Sequence, residues 1–328
     1  MFLIRSLLFK KVGFRMLLHF FTIKILTTAE ISMNTLLTKR SFSLALTAAA
    51  IAALTACGGG SSDSVATTTL SVTPVLGAVY GGTVTVYSST GVLLGTATTS
   101  ATDGKASVSL ANYTAGSPVV VKVSLAAGAS YFNEKTGANV TITAANPVSL
   151  LSVMPAVTTG QAVGVTPITN MAAKLAGLTA AAVGAGTLAT TVTADAIYTA
   201  VAKTNLALGL PANTNILAAP VAATVTAPKP TETMGNILAV MAKNTSSADP
   251  IAQANALVET VKTDGTVDST KTAAITEVNA TLTDTTKATG LTITVAASVT
   301  APTAAQITTA TAATKTVVDA AKPTGAGG

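Results

Sequence analysis

Aromatic and charged side chains are most densely clustered in the five residues from 131 to 135, which read Tyr-Phe-Asn-Glu-Lys. The side chains of Tyr131, Phe132 and Glu134 could form an exposed binding tip, because aromatic rings beside polar groups are frequent in contacts with partners. Alternatively, the two rings cover the edge of a hydrophobic core. The sequence is compatible with both arrangements, and it identifies these three residues as the candidate binding tip.

Carboxylates are the main candidates for catalysis in this chain. A pair of them can act as acid and base in glycoside hydrolysis, and Asp103 with Glu134 is one such combination. A Ser–Lys pair is a second chemistry that the composition allows. No motif supports either of them, and nothing in the sequence brings Asp103 close to Glu134. We therefore predict no catalytic residue and no enzymatic activity.

The segment from Asp264 to Asp268, which reads Asp-Gly-Thr-Val-Asp, resembles part of a calcium-binding loop. A complete loop of that type needs several more spaced oxygen ligands and a bidentate Glu. Here the earlier Asp positions are missing, and Glu277 lies well beyond the expected place. The segment therefore predicts a turn between two helices, and we expect neither a metal nor a cofactor.

The only cysteine, Cys57, follows a segment with the features of an export signal. Met33 opens a short stretch that carries Lys39 and Arg40, and the run 41–56 is uncharged and rich in Ala and Leu. A positive start, an apolar middle and small residues at the end are typical of a secretory signal peptide. The run is too short and too weakly apolar for a convincing permanent membrane span.

The residues at the end of this segment, Leu54, Thr55, Ala56 and Cys57, resemble the lipobox of bacterial lipoproteins. The resemblance implies that Cys57 receives a diacylglyceryl group and becomes the new N-terminus. Several acyl chains anchor a protein durably, since each buried methylene contributes about 0.8 kcal/mol. Gly58 rather than Asp follows the cysteine, which implies sorting to the outer membrane. The alternative is an ordinary signal peptide beside a chance cysteine.

Cleavage before Cys57 changes the meaning of the composition. Seven of the 19 basic residues, one of the 13 acidic residues and the only histidine, His19, precede it. The remaining chain has equal numbers of acidic and basic residues and contains no Arg, His or Trp. Nucleic-acid binding requires clustered positive charge, so we expect no nucleic-acid partner. The absence of histidine also removes the most common general base.

The chain divides into six segments on this interpretation. Residues 1–32 are either a basic extended leader or lie upstream of a translation start at Met33, and in both cases they are excluded from the mature fold. The subsequent segments are the signal peptide 33–56, a Gly/Ser tether 57–67, a β-sandwich 68–155, a helical domain 156–322 and a disordered tail 323–328.

Alternating polar and apolar residues predict the strands of the sandwich. Gly91 and the Asp103-Gly104 pair mark turns between them, since Gly and Asp adopt turn conformations readily. The predicted strands are 83–87, 92–97, 106–110, 119–123, 140–143 and 148–151.

The stretches 82–86 and 91–98, together with Asp103 and Gly104, resemble the transthyretin-like or carboxypeptidase-regulatory-like sandwich of bacterial surface proteins. The resemblance covers about residues 68–155. It implies a spacer or a support for binding, and it carries over no catalytic residue. A second segment, 165–177, resembles part of uncharacterised proteobacterial lipoproteins in which it follows such a sandwich.

Helix boundaries are unusually clear after residue 156. An N-cap residue or an early Pro precedes each amphipathic stretch. The signals are Thr166-Pro167, Thr193, Pro230-Thr231, Asp249-Pro250, Asp268 or Ser269, and Thr303 with Gln306.

The sequence thus predicts an α+β chain with an N-terminal antiparallel β-sandwich of the transthyretin or immunoglobulin type and a mainly α-helical domain after it. The expected function is non-catalytic: an outer-membrane lipoprotein with a structural, adhesion or binding role in the cell envelope. Its expected partners are the membrane, through the lipid anchor, and a protein or glycan. Two alternatives remain, an accessory subunit of an envelope assembly or secretion system and a carboxylate-dependent polysaccharide hydrolase.

Overall fold

The computed structural model describes residues 67–322 apart from 187, 189, 190, 245, 247, 248 and 263. The described residues belong to one compact unit. Cys57, the lipobox, the segments before it and the tail 323–328 lie outside the described residues. The lipid anchor, the signal peptide and the disordered tail therefore stay predictions.

Short runs of alternating or continuous apolar residues form ten strands in the described chain. Val84 and Val86 alternate with polar residues and are fully buried, whereas the 119–123 run is apolar at four of its five positions and lies in the interior. The strands are β1 (Thr68–Pro74), β2 (Val79–Tyr80), β3 (Thr83–Ser88), β4 (Leu93–Thr98), β5 (Ala106–Leu110), β6 (Val119–Leu125), β7 (Ser130–Asn133), β8 (Ala138–Thr141), β9 (Val148–Met154) and β10 (Gln161–Val165).

These strands form three sheets, with the orders β4-β3-β6-β9, β10-β1-β5 and β2-β7-β8. All pairings are antiparallel except that of β1 with β10, in which Leu70 lies opposite Gln161 and Pro74 opposite Val165. Every pairing within residues 68–155 is thus antiparallel, as the sequence predicts, and the parallel neighbour β10 comes from beyond that range. Parallel neighbours need a long connection, and the whole chain between β1 and β10 provides one.

Strand β10 also lies within the segment for which the sequence predicts helices. Its Val163 and Val165 are fully buried beside β1. A five-residue segment that contains one Gln and one Gly carries little periodicity, so it cannot be assigned from pattern alone. Only its pairing with β1 gives it an extended conformation.

Six helices follow in the described chain, and most begin where the sequence predicts. They are α1 (Pro167–Leu175), α2 (Ala194–Leu208), α3 (Thr233–Asn244), α4 (Pro250–Glu259), α5 (Ala273–Thr283) and α6 (Ala304–Ala320). Thr166, Thr193, Asp249 and Thr303 accept hydrogen bonds from the first turns of α1, α2, α4 and α6. The mixture of sheets and helices confirms the α+β class.

Two helix starts differ from the prediction. Helix α3 begins after Glu232, whose carboxylate accepts hydrogen bonds from the backbone N–H groups of Met234 and Gly235, both at 2.8 Å. Helix α5 begins after Thr272, which makes no side-chain capping bond. Asp268 instead accepts two hydrogen bonds from Thr270 and closes a turn before the helix.

Strands and helices share one hydrophobic cluster that extends from Leu70 to Val318. Helix α1 is its centre, because nearly every residue of this helix is buried. Among the described residues, no helix combines the length and the apolar character needed to cross a membrane.

Candidate functional site: a lysine-lined cleft beside helix α3

Helix α3 has two faces with different surroundings. One face, with Met234, Ile237 and Met241, is buried in the core. The other presents positions 236, 239, 240, 243 and 244, whose spacing of three and four residues places them along one side of the helix. The side chains of Asn236, Ala239, Val240, Lys243 and Asn244 line a cleft there.

Two irregular segments form the other walls of this cleft. The first is the run 228–231 with its two prolines, and the second is the run 286–290 after helix α5. The backbone at Val221, which precedes the first wall, lies directly against Gly235 of α3. Only a glycine fits there, because a Cβ at position 235 would overlap the carbonyl oxygen of Val221. The cleft has a volume of about 440 Å³, which lies within the range of small-molecule sites.

Each wall of the cleft contributes one lysine: Lys229, Lys243 and Lys287. Among the described residues that line it, Glu134 is the one carboxylate. Lys287 also lies 3.4 Å from Asp284 in an exposed ion pair, which is a weak interaction in water. The local charge of the cleft is therefore positive, although the chain after Cys57 has equal numbers of acidic and basic residues.

Glu134 follows strand β7 and is only 9% exposed. Its Oε2 atom is buried and has no hydrogen-bond partner among the described residues. Burial raises the pKa of Glu134 to about 7, while hydrogen bonds from the backbone N–H groups of Glu134 and Gly77 oppose this rise. A neutral carboxylic acid is thus present in slightly acidic solution, since burial disfavours the charged form.

Glu134 also borders a second, much smaller void of about 10 Å³ next to Gln253 and Met241. A void of this size is about one water molecule in volume, and a buried water needs polar neighbours. The carboxyl group of Glu134 and the amide of Gln253 are two such neighbours. Glu134 thus lines both this void and the larger cleft.

Tyr131 and Phe132 are 2% and 1% exposed. They lie in β7, the central strand of its sheet, and the Tyr131 hydroxyl donates a 2.8 Å hydrogen bond to Asp249. Burial, followed by this bond to a carboxylate, raises the pKa of Tyr131. Both rings are buried rather than exposed, which agrees with the alternative in which they cover a hydrophobic core; of the three residues of the candidate tip, only Glu134 lines the cleft.

Asp103 lies in a different environment from Glu134. It is exposed in the turn between β4 and β5, where its carboxylate accepts a 3.2 Å hydrogen bond from the backbone N–H of Lys105. That bond, with a further one from Ser100, lowers the pKa of Asp103. Asp103 does not line the cleft that contains Glu134, so the structure does not bring the two carboxylates of the proposed pair into one site.

The segment from Asp264 to Asp268 forms a turn between α4 and α5, as the sequence predicts. Asp264 accepts hydrogen bonds from both the backbone N–H and the hydroxyl of Thr266, and these bonds lower its pKa. Its oxygens therefore cap a turn. No group of three or more candidate metal ligands occurs within the described part of the chain.

The lysines of the cleft were not among the sequence-predicted site residues. They are far apart in the chain, and only the folding of α3 against two irregular segments brings them together. The one signal in the sequence was the polar spacing 236, 243 and 244 on the outer face of α3. Comparisons with protein-family models, with curated proteins and with solved structures found no match for this chain.

Proposed function

We propose that this chain is a non-catalytic lipoprotein of the cell envelope, anchored to the outer membrane through Cys57, and that it binds a glycan. The observation that carries the binding role is the cleft beside α3. Three lysines, two asparagines and three threonines surround a volume of about 440 Å³. Such convergent polar groups in a concave site are typical of ligand recognition.

We also propose that the strands between residues 68 and 155 act as a sandwich that supports this site. Val84 and Val86 of β3 and Val108 of β5 belong to one buried cluster although they come from different sheets. The backbones also approach closely, since a Cβ at Gly95 of β4 would overlap the carbonyl oxygen of Ser109. Inner faces of two sheets that share a core are the defining feature of a sandwich.

A binding role is favoured over the two alternatives by where the relevant groups lie. A glycoside hydrolase needs two carboxylates on opposite sides of the scissile bond, whereas Glu134 is the one carboxylate among the described residues that line the cleft. An accessory subunit would expose an apolar patch on its helices. Among the described residues, the large apolar side chains that are exposed lie in a β-hairpin and an irregular segment: Val92, Leu93, Val221 and Val225.

The anchor is tested by replacing Cys57 with Ser and fractionating the cells. We expect the wild-type chain in the outer-membrane fraction and the variant in soluble fractions or as an unprocessed precursor, because only a cysteine thiol accepts the lipid. The matched control is Ser61→Ala in the tether, which should stay with the membrane. Normal processing and membrane association of Cys57→Ser would falsify the anchor.

The binding role is tested by filling the cleft. Ala239 lines it on the outer face of α3, so the Trp of Ala239→Trp should occupy the space of the ligand. We expect the purified full-length chain to bind immobilised envelope polysaccharides and the variant to lose this binding. Ala312→Trp, at an exposed position of α6, is the control. Equal binding by wild type and Ala239→Trp would show that the cleft is not the site.

A further inference from the structure

The positive charge of the cleft indicates which class of glycan it would bind. Lys229 and Lys243 form no ion pair within the described residues, and Lys287 has only the exposed 3.4 Å contact with Asp284. Three lysine side chains therefore line one volume. Like charges around one volume repel each other, and an anion bound between them reduces this cost.

Glu134 adds little negative charge to balance these lysines. Burial raises its pKa to about 7, so a large fraction of it is neutral at neutral pH and nearly all of it is neutral in mildly acidic solution. Its buried Oε2 atom makes no hydrogen bond with described residues. The positive potential of the cleft is thus largely unopposed from within.

The remaining polar groups of the cleft fit hydroxyl groups. Asn244 donates its amide N–H to the carbonyl of Val240 at 2.9 Å, and its Oδ1 atom can accept a hydrogen bond from a ligand. Thr286 donates its hydroxyl to Asp284 and keeps its lone pairs as acceptors. Asn236, Thr231 and Thr289 line the same volume. Amide and hydroxyl groups can donate to and accept from a polyol.

The walls also include apolar side chains. Pro228, Pro230, Ala239 and Val240 all line the cleft. The cleft is larger than a simple inorganic anion requires and lies within the range for small organic ligands. An acidic sugar has an anionic group, several hydroxyls and a compact apolar face, and these match the lysines, the polar side chains and the apolar side chains of the cleft.

We propose that the cleft binds an acidic saccharide: one or two sugar rings that carry a carboxylate or a phosphate. The inference rests on the proposed function and names the class of glycan. Lys229, Lys243 and Lys287 bind the anionic group, while Asn236, Asn244 and the threonines bind ring hydroxyls.

The test is isothermal titration calorimetry of the full-length chain, purified in detergent, with four probes. They are glucuronic acid, glucose 6-phosphate, glucose and inorganic phosphate. We expect the two acidic sugars to bind at least about tenfold more tightly than either glucose or phosphate alone, since only they use both the lysines and the hydroxyl partners. The comparison of glucuronic acid with glucose 6-phosphate identifies which anion is preferred.

Lys243→Gln is the informative variant, because it removes one charge and keeps the length and polarity of an α3 side chain. We expect it to weaken binding of the acidic sugars about tenfold and to leave any glucose binding unchanged. Lys105→Gln, in the exposed β4–β5 turn, should bind as the wild type does.

Equal affinity for glucose and glucuronic acid would overturn the role of charge, and equal affinity for phosphate and glucose 6-phosphate would overturn the role of the sugar ring. Absence of binding by all four probes would overturn the inference as well. In each case the proposed function still stands if Ala239→Trp abolishes binding to an envelope polysaccharide. It fails independently if that variant binds as the wild type does.

Discussion

The carboxyl group of Glu134 has one oxygen without a hydrogen-bond partner among the described residues and lies almost entirely out of water. Tyr131, three residues earlier, is buried too, but its hydroxyl donates to Asp249. The sequence placed both residues in one candidate tip because it could not distinguish their surroundings. Their hydrogen bonding distinguishes them. Tyr131 is a core residue whose hydroxyl has a partner, whereas Glu134 is a titratable group that lines the cleft and has one unpartnered oxygen among the described residues.

This difference predicts a pH dependence of stability at the residue scale. The pKa of Glu134 rises from an ordinary 4.5 to about 7 in the folded state, so the folded chain holds this proton more tightly than the unfolded chain does. The stabilising effect of its proton is therefore complete below about pH 4.5 and is lost as the pH rises towards 7. A shift of this size corresponds to about 3 kcal/mol at most.

Urea unfolding at several pH values measures this effect. We expect Glu134→Gln to be more stable than the wild type at pH 8, and the difference should shrink as the pH falls below the folded pKa. Glu259→Gln changes an exposed carboxylate of α4 and serves as the control with no such trend. A wild type and a Glu134→Gln variant with parallel pH profiles would contradict the raised pKa.

At the scale of elements, the helix starts are the best-predicted features. Thr166 of α1 and Thr303 of α6 both form capping boxes, in which the Thr hydroxyl accepts from the third residue of the helix and that residue's side chain binds back. The two boxes differ in burial, since Thr166 is fully buried and Thr303 is exposed. The two boxes make the same hydrogen bonds, but only the box of Thr166 is shielded from water.

The two capping boxes therefore predict different costs for one substitution. Thr166→Ala should lower the free energy of unfolding by about 2 kcal/mol, because the buried N–H group of Thr169 loses its acceptor and water cannot replace it. Thr303→Ala should cost about 0.5 kcal/mol, since water can bind the freed group. Chemical denaturation of both variants measures the difference. Equal costs would mean that burial of α1 does not strengthen its cap.

At the scale of the whole molecule, helices and strands are joined by hydrogen bonds in the interior. Asn170 of α1 accepts from the backbone N–H of Leu151 in β9 at 3.0 Å, and Thr169 donates its hydroxyl to the carbonyl of the same residue at 3.0 Å. Both polar groups are buried, where an unmade hydrogen bond is costly. These bonds make separation of α1 from β9 unfavourable.

We therefore expect the strands and helices to unfold together. In a Tyr198→Phe variant the remaining tyrosines of the folded unit lie before residue 155, so tyrosine fluorescence reports on the strand-rich part. Far-UV circular dichroism reports mainly on the helices. The two urea transitions should coincide, as they do in a two-state process. Separate midpoints would instead support the two domains that the sequence predicts.

Local patterns in the sequence were sufficient for the features that depend on neighbouring residues. Alternation predicted β3 and β5, and capping residues predicted the starts of α1, α2, α4 and α6, because these signals act within a few positions of the chain. The interpretation of Asp264–Asp268 as a turn is also local, since Thr266 and Thr270 supply the partners of both carboxylates. The lipobox is local too, and its meaning awaits the Cys57→Ser experiment.

Tertiary structure alone decided what depends on residues far apart in the chain. The parallel pairing of β10 with β1, the burial of Tyr131 in a central strand and the raised pKa of Glu134 all arise from neighbours that no short pattern contains. The same holds for the cleft, whose lysines come from three separate segments. Propensity and capping act over a few residues, whereas burial and electrostatics depend on three-dimensional distance. For this reason the sequence by itself determined most of the elements, and only the folded chain determined the site.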